Sequence, residues 1–219
     1  VFKGRIFCFS TITSMIIMLS MVGPALLIPL YVQNALGLSA LLSGLVIMPG
    51  AIINGIMSVF TGKFYDKYGT RPLIFTGFIL LISCTFLLCF LKVDTSYTYL
   101  IVIYAIRMFA VSLLMMPINT TGINALKTEN ISHGTAIMNF GRVMAGSLGT
   151  ALMVTFMSIG AQWVVSSSEH ASKEMIQRQS VAVGVDVSFA LVTVFVIIAF
   201  VLALFIKEPN HSTHNSRKV

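Results

Sequence analysis

Six long apolar runs constrain the fold of this chain more than any other feature of its sequence. The residues are 57% hydrophobic and only 10% charged, and the mean hydropathy is +0.93. A soluble domain cannot bury so much apolar surface, whereas runs near 20 residues match the thickness of a bilayer. The pattern predicts an all-α membrane protein with transmembrane helices at about 6–31, 41–60, 73–91, 97–124, 136–160 and 187–206. We expect a lipid bilayer to surround these spans.

A polar stretch at 62–72 sets the predicted orientation. It holds three basic residues and one acid, and its glycines and proline suit a tight reversal between two spans. Positive charge in short loops resists translocation, so we expect this stretch to be cytoplasmic. The same side then carries Lys3, Arg5, Lys63, Lys67, Arg71, Lys127, Lys207, Arg217 and Lys218, against Lys92, Lys173 and Arg178 outside. Both termini, including a polar tail at 208–219, are therefore predicted to be cytoplasmic in a cell-membrane protein.

Prolines break the first span of each half of the chain. Pro24 lies 19 residues beyond Arg5, and Pro117 lies 20 residues beyond Tyr97. Spans one to three and four to six thus form two similar triplets, and the second starts on the opposite side of the membrane. We expect the prolines to kink or unwind their helices. Paired broken helices in two inverted three-helix repeats point to a transporter binding site.

Arg107 is the charged residue that the sequence places deepest in the membrane. It lies about 15 Å along the fourth span, where an arginine costs roughly 2.5–3.5 kcal/mol to insert. It must therefore face protein or water, and we place it with Tyr104 on the cavity side. The alternative is a structural arginine bonded to helix carbonyls. Arg142 could either serve the cavity or snorkel to the cytoplasmic surface, and Asn139 shares its helix face at i−3.

Small residues recur every four positions in the fifth span. Gly141, Ala145 and Gly149 predict a groove in which another helix can approach closely. The three cysteines are odd in number and lie in apolar runs, which favours core residues over a disulfide framework.

Several function classes find no support in the sequence. It holds no P-loop, no nucleophile with its base and no zinc-site spacing, so we expect neither an enzyme nor a metal or other cofactor. The basic residues cluster at the ends of apolar runs and not on one face, which argues against a nucleic-acid partner. No acid or histidine lies well inside a predicted span, so a proton carrier is expected elsewhere.

The central polar stretch resembles a known signature. The spacing of Gly62, Asp66, Gly69 and Arg71 is similar to the cytoplasmic loop motif of the major facilitator superfamily. By that resemblance, these four residues belong to a cytoplasmic gate latch, and the six spans form one half-bundle of the fold.

Further matches narrow the resemblance. The 29–33 stretch, the Pro49-Gly50 pair, Arg107 and the pairing of Asn139 with Arg142 resemble the C-terminal half of the fourteen-helix drug:proton antiporters of the EmrB/QacA type. The resemblance implies a missing N-terminal helical bundle, a central cavity and alternating access. It also implies proton-coupled export of small lipophilic, often cationic, compounds. A transporter of one polar metabolite and a non-transporting membrane subunit or truncated fragment remain as alternatives.

Overall fold

Six long helices make up the fold. The structure, a computed structural model, describes residues 5–167 and 173–205, without the side chains of Asp66, Ser167, Lys173 and Glu174. The helices are α1 (Arg5–Asn34), α2 (Ala40–Tyr68), α3 (Thr70–Leu87), α4 (Tyr97–Asn124), α5 (Ile131–Ser167) and α6 (Lys173–Leu204), with a short 3-10 turn at Thr128–Asn130. No strand occurs in the described ranges, and all six helices are long and apolar enough to cross a membrane. The predicted all-α, six-helix architecture is confirmed.

Helices α1 and α4 form the centre of the bundle. Helix α1 packs against α4, α5 and α6, while α4 packs against α1, α2 and α3. The α1–α5 and α1–α6 contacts thus have counterparts in the α4–α2 and α4–α3 contacts. This pattern is the one expected when two three-helix units face each other in inverted order.

The most exposed apolar side chains lie on α2 and α5. Leu41 and Val59 of α2 are 76% and 69% exposed, and Phe140 and Val143 of α5 are 69% and 66% exposed. The two buried apolar clusters are instead built around α1 and α4, with contributions from α3 and α6. Helices α2 and α5 therefore present apolar surfaces that lipid or another bundle can cover.

A single glycine makes the reversal that the sequence predicted across 62–72. Helix α2 continues to Tyr68 and α3 begins at Thr70, so only Gly69 lies between them. Gly69 has φ 78°, in the left-handed region that favours glycine, and its N–H donates to the Tyr65 carbonyl at 2.9 Å. The expected loop is thus almost wholly helical, because one left-handed residue suffices to turn the chain.

The prolines do not unwind their helices. Helix α1 runs through Pro24 and Pro29, α2 through Pro49 and α4 through Pro117. Of the two expected outcomes, unwinding is therefore wrong, and kinking stays a prediction. Tertiary contacts in a membrane bundle can satisfy the carbonyls that proline releases, so the helix can continue.

Helices α5 and α6 extend beyond the predicted spans at 136–160 and 187–206. Most of the polar segment between those spans is therefore helical: residues 161–167 belong to α5 and residues 173–186 to α6. Residues 168–172 lie outside the described part of the chain. The two helices touch in this region, since a Cβ added to Gly160 would lie 2.9 Å from the Gly184 Cα. Hydropathy marks apolar residues and not helical ones, so it missed these helix ends and the position of Asp186 inside α6. The predicted tail at 208–219 lies outside the described residues.

Candidate substrate cleft and coupling residues

A cleft of about 620 Å³ lies among α1, α2, α4 and α5. Four methionines line it, two from α1 and two from α4: Met18, Met21, Met115 and Met116. Its other lining residues are Asn54, Ser58, Val111, Ser112, Asn119, Thr120, Asn139, Arg142 and Val143. Thioether side chains are flexible and polarisable, so this wall can adapt to apolar molecules of different shapes.

Arg142 brings one permanent positive charge to the cleft. Its Nη2 donates to Oδ1 of Asn139, one turn earlier on α5. The structure therefore brings together the two residues that the sequence assigned to one face. Because the amide oxygen is occupied by the guanidinium, the pair acts as one fixed polar patch on an otherwise adaptable wall. None of the described residues lining the cleft carries a carboxylate.

Polar contacts hold α2 against α4 beside the cleft. Asn54 donates through Nδ2 to the Met108 carbonyl at 3.2 Å, and the hydroxyls of Thr61 and Ser112 lie 3.5 Å apart. Toward the other end, the Tyr104 ring packs on Gly50, where an added Cβ would lie 2.7 Å from Cδ1. Tyr104 is thus buried in the α2–α4 interface and does not line the cleft.

Arg107 lies wholly inside the bundle, with 0% of its side chain exposed. Its Nη2 donates to the backbone carbonyl of Ser20 on α1. In a regular α-helix that carbonyl would accept the N–H of residue 24, but residue 24 is Pro24 and has no N–H. Arg107 therefore supplies the donor that the proline removes from α1. The Ser20 carbonyl thus has a donor where α1 continues as a helix through Pro24.

The position of Arg107 differs from the cavity side expected from the sequence. Like Tyr104, it is absent from the cleft lining, and its bond to a helix carbonyl is the contact of the structural alternative. Its Nε and Nη1 atoms are buried without a hydrogen-bond partner in the described residues. A buried cation with spare donors, attached to a helix at a proline, can influence the shape of that helix.

The four residues of the loop motif lie near the turn between α2 and α3. Gly62 faces α4, since an added Cβ would lie 3.2 Å from Cε of Met116. Gly69 forms the turn itself, and Arg71 is exposed in the first turn of α3, beside a groove of about 250 Å³. Asp66 belongs to α2, and its side chain lies outside the described part. The motif thus occupies one end of the bundle, next to the end of the cleft that Met116 lines.

The small residues of α5 lie against α1. A Cβ added to Gly149 would lie 2.7 Å from Cγ and 3.0 Å from the Cα of Leu19. A Cβ added to Gly141 would lie 3.0 Å from the sulfur of Met15, and Ala145 is buried. At Gly149 the two helices approach backbone to backbone, which only a residue without a side chain permits.

Comparison with known proteins decides the family. The sequence profile described as Major Facilitator Superfamily matches residues 1–150. The chain belongs to the major facilitator superfamily. This membership confirms the resemblance that the loop motif carried and identifies the protein as a multi-pass membrane protein. The six-helix fold is consistent with a superfamily half-bundle.

Curated relatives extend the comparison over nearly the whole chain. The lincomycin resistance protein LmrB of Listeria monocytogenes is 35% identical over 208 residues, which cover 95% of this chain and 44% of the relative. The uncharacterized MFS-type transporter YhcA of Bacillus subtilis is 44% identical over 155 residues, or 71% of this chain and 29% of the relative. The multidrug export protein EmrB of Escherichia coli is 28% identical over 155 residues, or 70% and 30%. The chain thus spans less than half the length of these relatives.

Sequence reasoning missed three parts of the site. The polar contact of Asn54 could have been predicted from the sequence, because an amide inside an apolar span needs a polar partner. The free carbonyl of Ser20 could also have been predicted from the sequence, since a proline in a helix frees the carbonyl four residues earlier. The grouping of the cleft methionines depends on how α1 and α4 pack and has no signal in a single sequence.

Proposed function

We propose that this chain is the C-terminal half of a proton-coupled multidrug exporter that moves lipophilic or cationic compounds by alternating access. The methionine-lined cleft is the observation that carries the proposal, because it joins four helices and most of its exposed lining surface is apolar. A site for one polar metabolite needs several converging hydrogen-bonding groups. Here the side chains of Asn54, Ser112 and Asn139 already contact other protein groups, which leaves fewer groups for a polar ligand. The names of LmrB and EmrB, which refer to drug resistance and drug export, support the same conclusion.

We further propose how the rest of the protein completes the transporter. An N-terminal helical bundle, accounting for the greater length of the relatives, covers the apolar faces of α2 and α5 and closes the cleft into a cavity. The segment spans the plasma membrane, and both of its termini lie on the cytoplasmic side, as the charge bias predicts. Gly62, Asp66, Gly69 and Arg71 form the cytoplasmic gate latch, and Arg107 with Tyr104 couples helix movements without contacting the drug.

The cleft can be tested with methionine variants of the full-length protein that contains this segment. The double change of Met115 and Met116 to alanine removes two adaptable contacts, so energised efflux of several unrelated lipophilic compounds should fall, by a different factor for each. Met144→Ala is the matched control, since Met144 is exposed on α5 and does not line the cleft. If the cleft variant leaves efflux of every compound unchanged at equal expression, the substrate site lies elsewhere. Competition of efflux by a single polar metabolite alone would favour the metabolite transporter.

A further inference from the structure

Asp186 is a carboxylate inside α6 that no step described above uses. Its side chain is partly buried, and its Oδ1 accepts the backbone N–H of Leu91 at 3.0 Å. Leu91 belongs to the α3–α4 link, which comprises residues 88–96 between those helices. The hydrogen bond from the Leu91 N–H holds the link against α6. This donor is a neutral backbone group, so the contact involves no positively charged partner for Asp186.

The same link is also attached to α1. The hydroxyl of Tyr31 donates to the Lys92 carbonyl at 2.6 Å, and the Tyr31 side chain is fully buried. Asp186, Leu91, Lys92 and Tyr31 therefore form one connection from α6, through the link, to the last turns of α1. That part of α1 lies beyond Pro24, where the helix lacks one of its own hydrogen bonds.

A wide cleft of about 760 Å³ lies beside this connection. Leu91 lines it, and so do Ala182 and Val183, which precede Asp186 by four and three residues on the same face of α6. Asp186 also precedes Leu204 by 18 residues, which is about 27 Å of helix, close to the thickness of a bilayer core. The carboxylate is thus at the membrane boundary opposite Gly69, on the side that we propose as exterior, where water in the cleft can deliver a proton.

Other titratable groups lie near Asp186 on α1, on the α3–α4 link and on α6. Helix α1 contributes Tyr31, and Cys89 lies near the start of the link. The cleft also receives Lys92 and Asp94 from the link and Arg178 from α6, while α5 contributes Val164. Among the acids whose side chains the structure describes, Asp186 is therefore the one that is both partly buried and bonded to the link.

We propose that Asp186 binds the coupling proton on the exterior side, and that its ionised form fastens the α3–α4 link to α6. A hydronium ion in the cleft water transfers its proton to the carboxylate, which forms a carboxyl O–H bond, cancels the negative charge and leaves a water molecule. Hydrogen bonds to an ionised acceptor are roughly twice as strong as those to a neutral one, so protonation loosens the attachment at Leu91. Through Lys92 and Tyr31 the change reaches the end of α1. The inference rests on the proposed function, since it names the residue for the coupling ion.

The test uses the full-length protein in proteoliposomes, with drug movement measured under a pH gradient and, separately, down the drug gradient alone. Asp186→Asn keeps an oxygen to accept the Leu91 N–H but cannot titrate, so it should lose gradient-driven uphill transport and keep downhill equilibration. Asp186→Glu should restore uphill transport. Glu129→Gln is the matched control, because Glu129 is an exposed acid of the 3-10 turn and its loss should change neither rate. Uphill transport by Asp186→Asn at the wild-type rate would overturn the inference.

A second measurement, on the wild-type protein, tests the role of Asp186 even if Asp186→Asn fails to fold. Hydrogen–deuterium exchange of the Leu91 amide, corrected for its intrinsic pH dependence, should lose protection in the wild-type protein as the exterior pH falls. A Leu91 protection that stays constant with pH would refute the role of Asp186, whatever the variants do. By contrast, a wild-type protein that moves no drug under a pH gradient would refute the proposed proton coupling, and the exchange experiment would still report on Asp186.

Discussion

The bond between Arg107 and the Ser20 carbonyl predicts an energetic coupling between Arg107 and Pro24. In the native protein Pro24 withholds the N–H that Ser20 would accept, and Arg107 replaces it. Arg107→Ala leaves a buried carbonyl without a donor, which costs about 1–3 kcal/mol. Pro24→Ala restores the N–H of residue 24, so Ser20 regains a partner within α1. The cost of Arg107→Ala should therefore be smaller in the Pro24→Ala background.

A double-mutant cycle measures this coupling. We expect an interaction energy of about 1 kcal/mol or more between Arg107 and Pro24, within the range of about 0.5–3 kcal/mol found for residues that share a network. The free energy of unfolding would be measured by denaturant titration of the purified full-length protein in a membrane mimetic. Pro29→Ala supplies the matched control, because Pro29 lies in the same helix but frees a different carbonyl, that of residue 25. Equal costs of Arg107→Ala in the wild-type and Pro24→Ala backgrounds would refute the reasoning.

Transport measurements separate the coupling role of Arg107 from drug contact. Arg107→Lys keeps the charge but loses the planar fork, so it should impair energised efflux almost as badly as Arg107→Ala. Drug binding, measured separately, should survive both changes because Arg107 does not line the cleft. Full transport by the lysine variant would show that the fork has no role. Loss of binding equal to the loss of efflux would instead assign Arg107 to the substrate site.

Three further predictions concern orientation, the gate motif and helix packing. With single cysteines in a cysteine-free background, an impermeant thiol reagent on intact cells should label Lys173→Cys and not Lys67→Cys; the reverse pattern would overturn the orientation. Asp66→Asn should alter efflux without reducing membrane insertion, and unchanged efflux at equal expression would leave the acid without a gating role. Gly149→Ala should cost about 1–3 kcal/mol of stability through overpacking on the α1 backbone, whereas Gly55→Ala, with open space around it, should stabilise α2 by up to about 1 kcal/mol. Equal effects of the two alanines on the denaturant midpoint would contradict the packing argument.

The sequence predicted the number and type of helices because membrane spans follow from length and hydropathy alone. It also predicted that Arg107 must face protein or water and not lipid, since the cost of inserting a charge depends on the residue and its depth, but it placed the residue on the cavity side. The partner of Arg107 could not be predicted from depth, because it depends on which turn of α1 lies beside α4. Asp186 was missed for a different reason. A hydropathy window excludes a carboxylate from a span, whereas the helix, which depends on backbone hydrogen bonds, continues through it.

Helix α1 is where the contacts of both inferences meet. Arg107 holds it at the carbonyl freed by Pro24, and the hydroxyl of Tyr31 holds its last turns to the α3–α4 link. Between these two points Pro24 and Pro29 provide no backbone N–H, so α1 lacks two of its regular hydrogen bonds. Bending the helix therefore costs least free energy there. A bend in this region must alter the Tyr31 contact, the Arg107 contact or both, because each is fixed to a different neighbour. If alternating access bends α1, we therefore expect Arg107→Lys to change the proton dependence of transport as well as its rate.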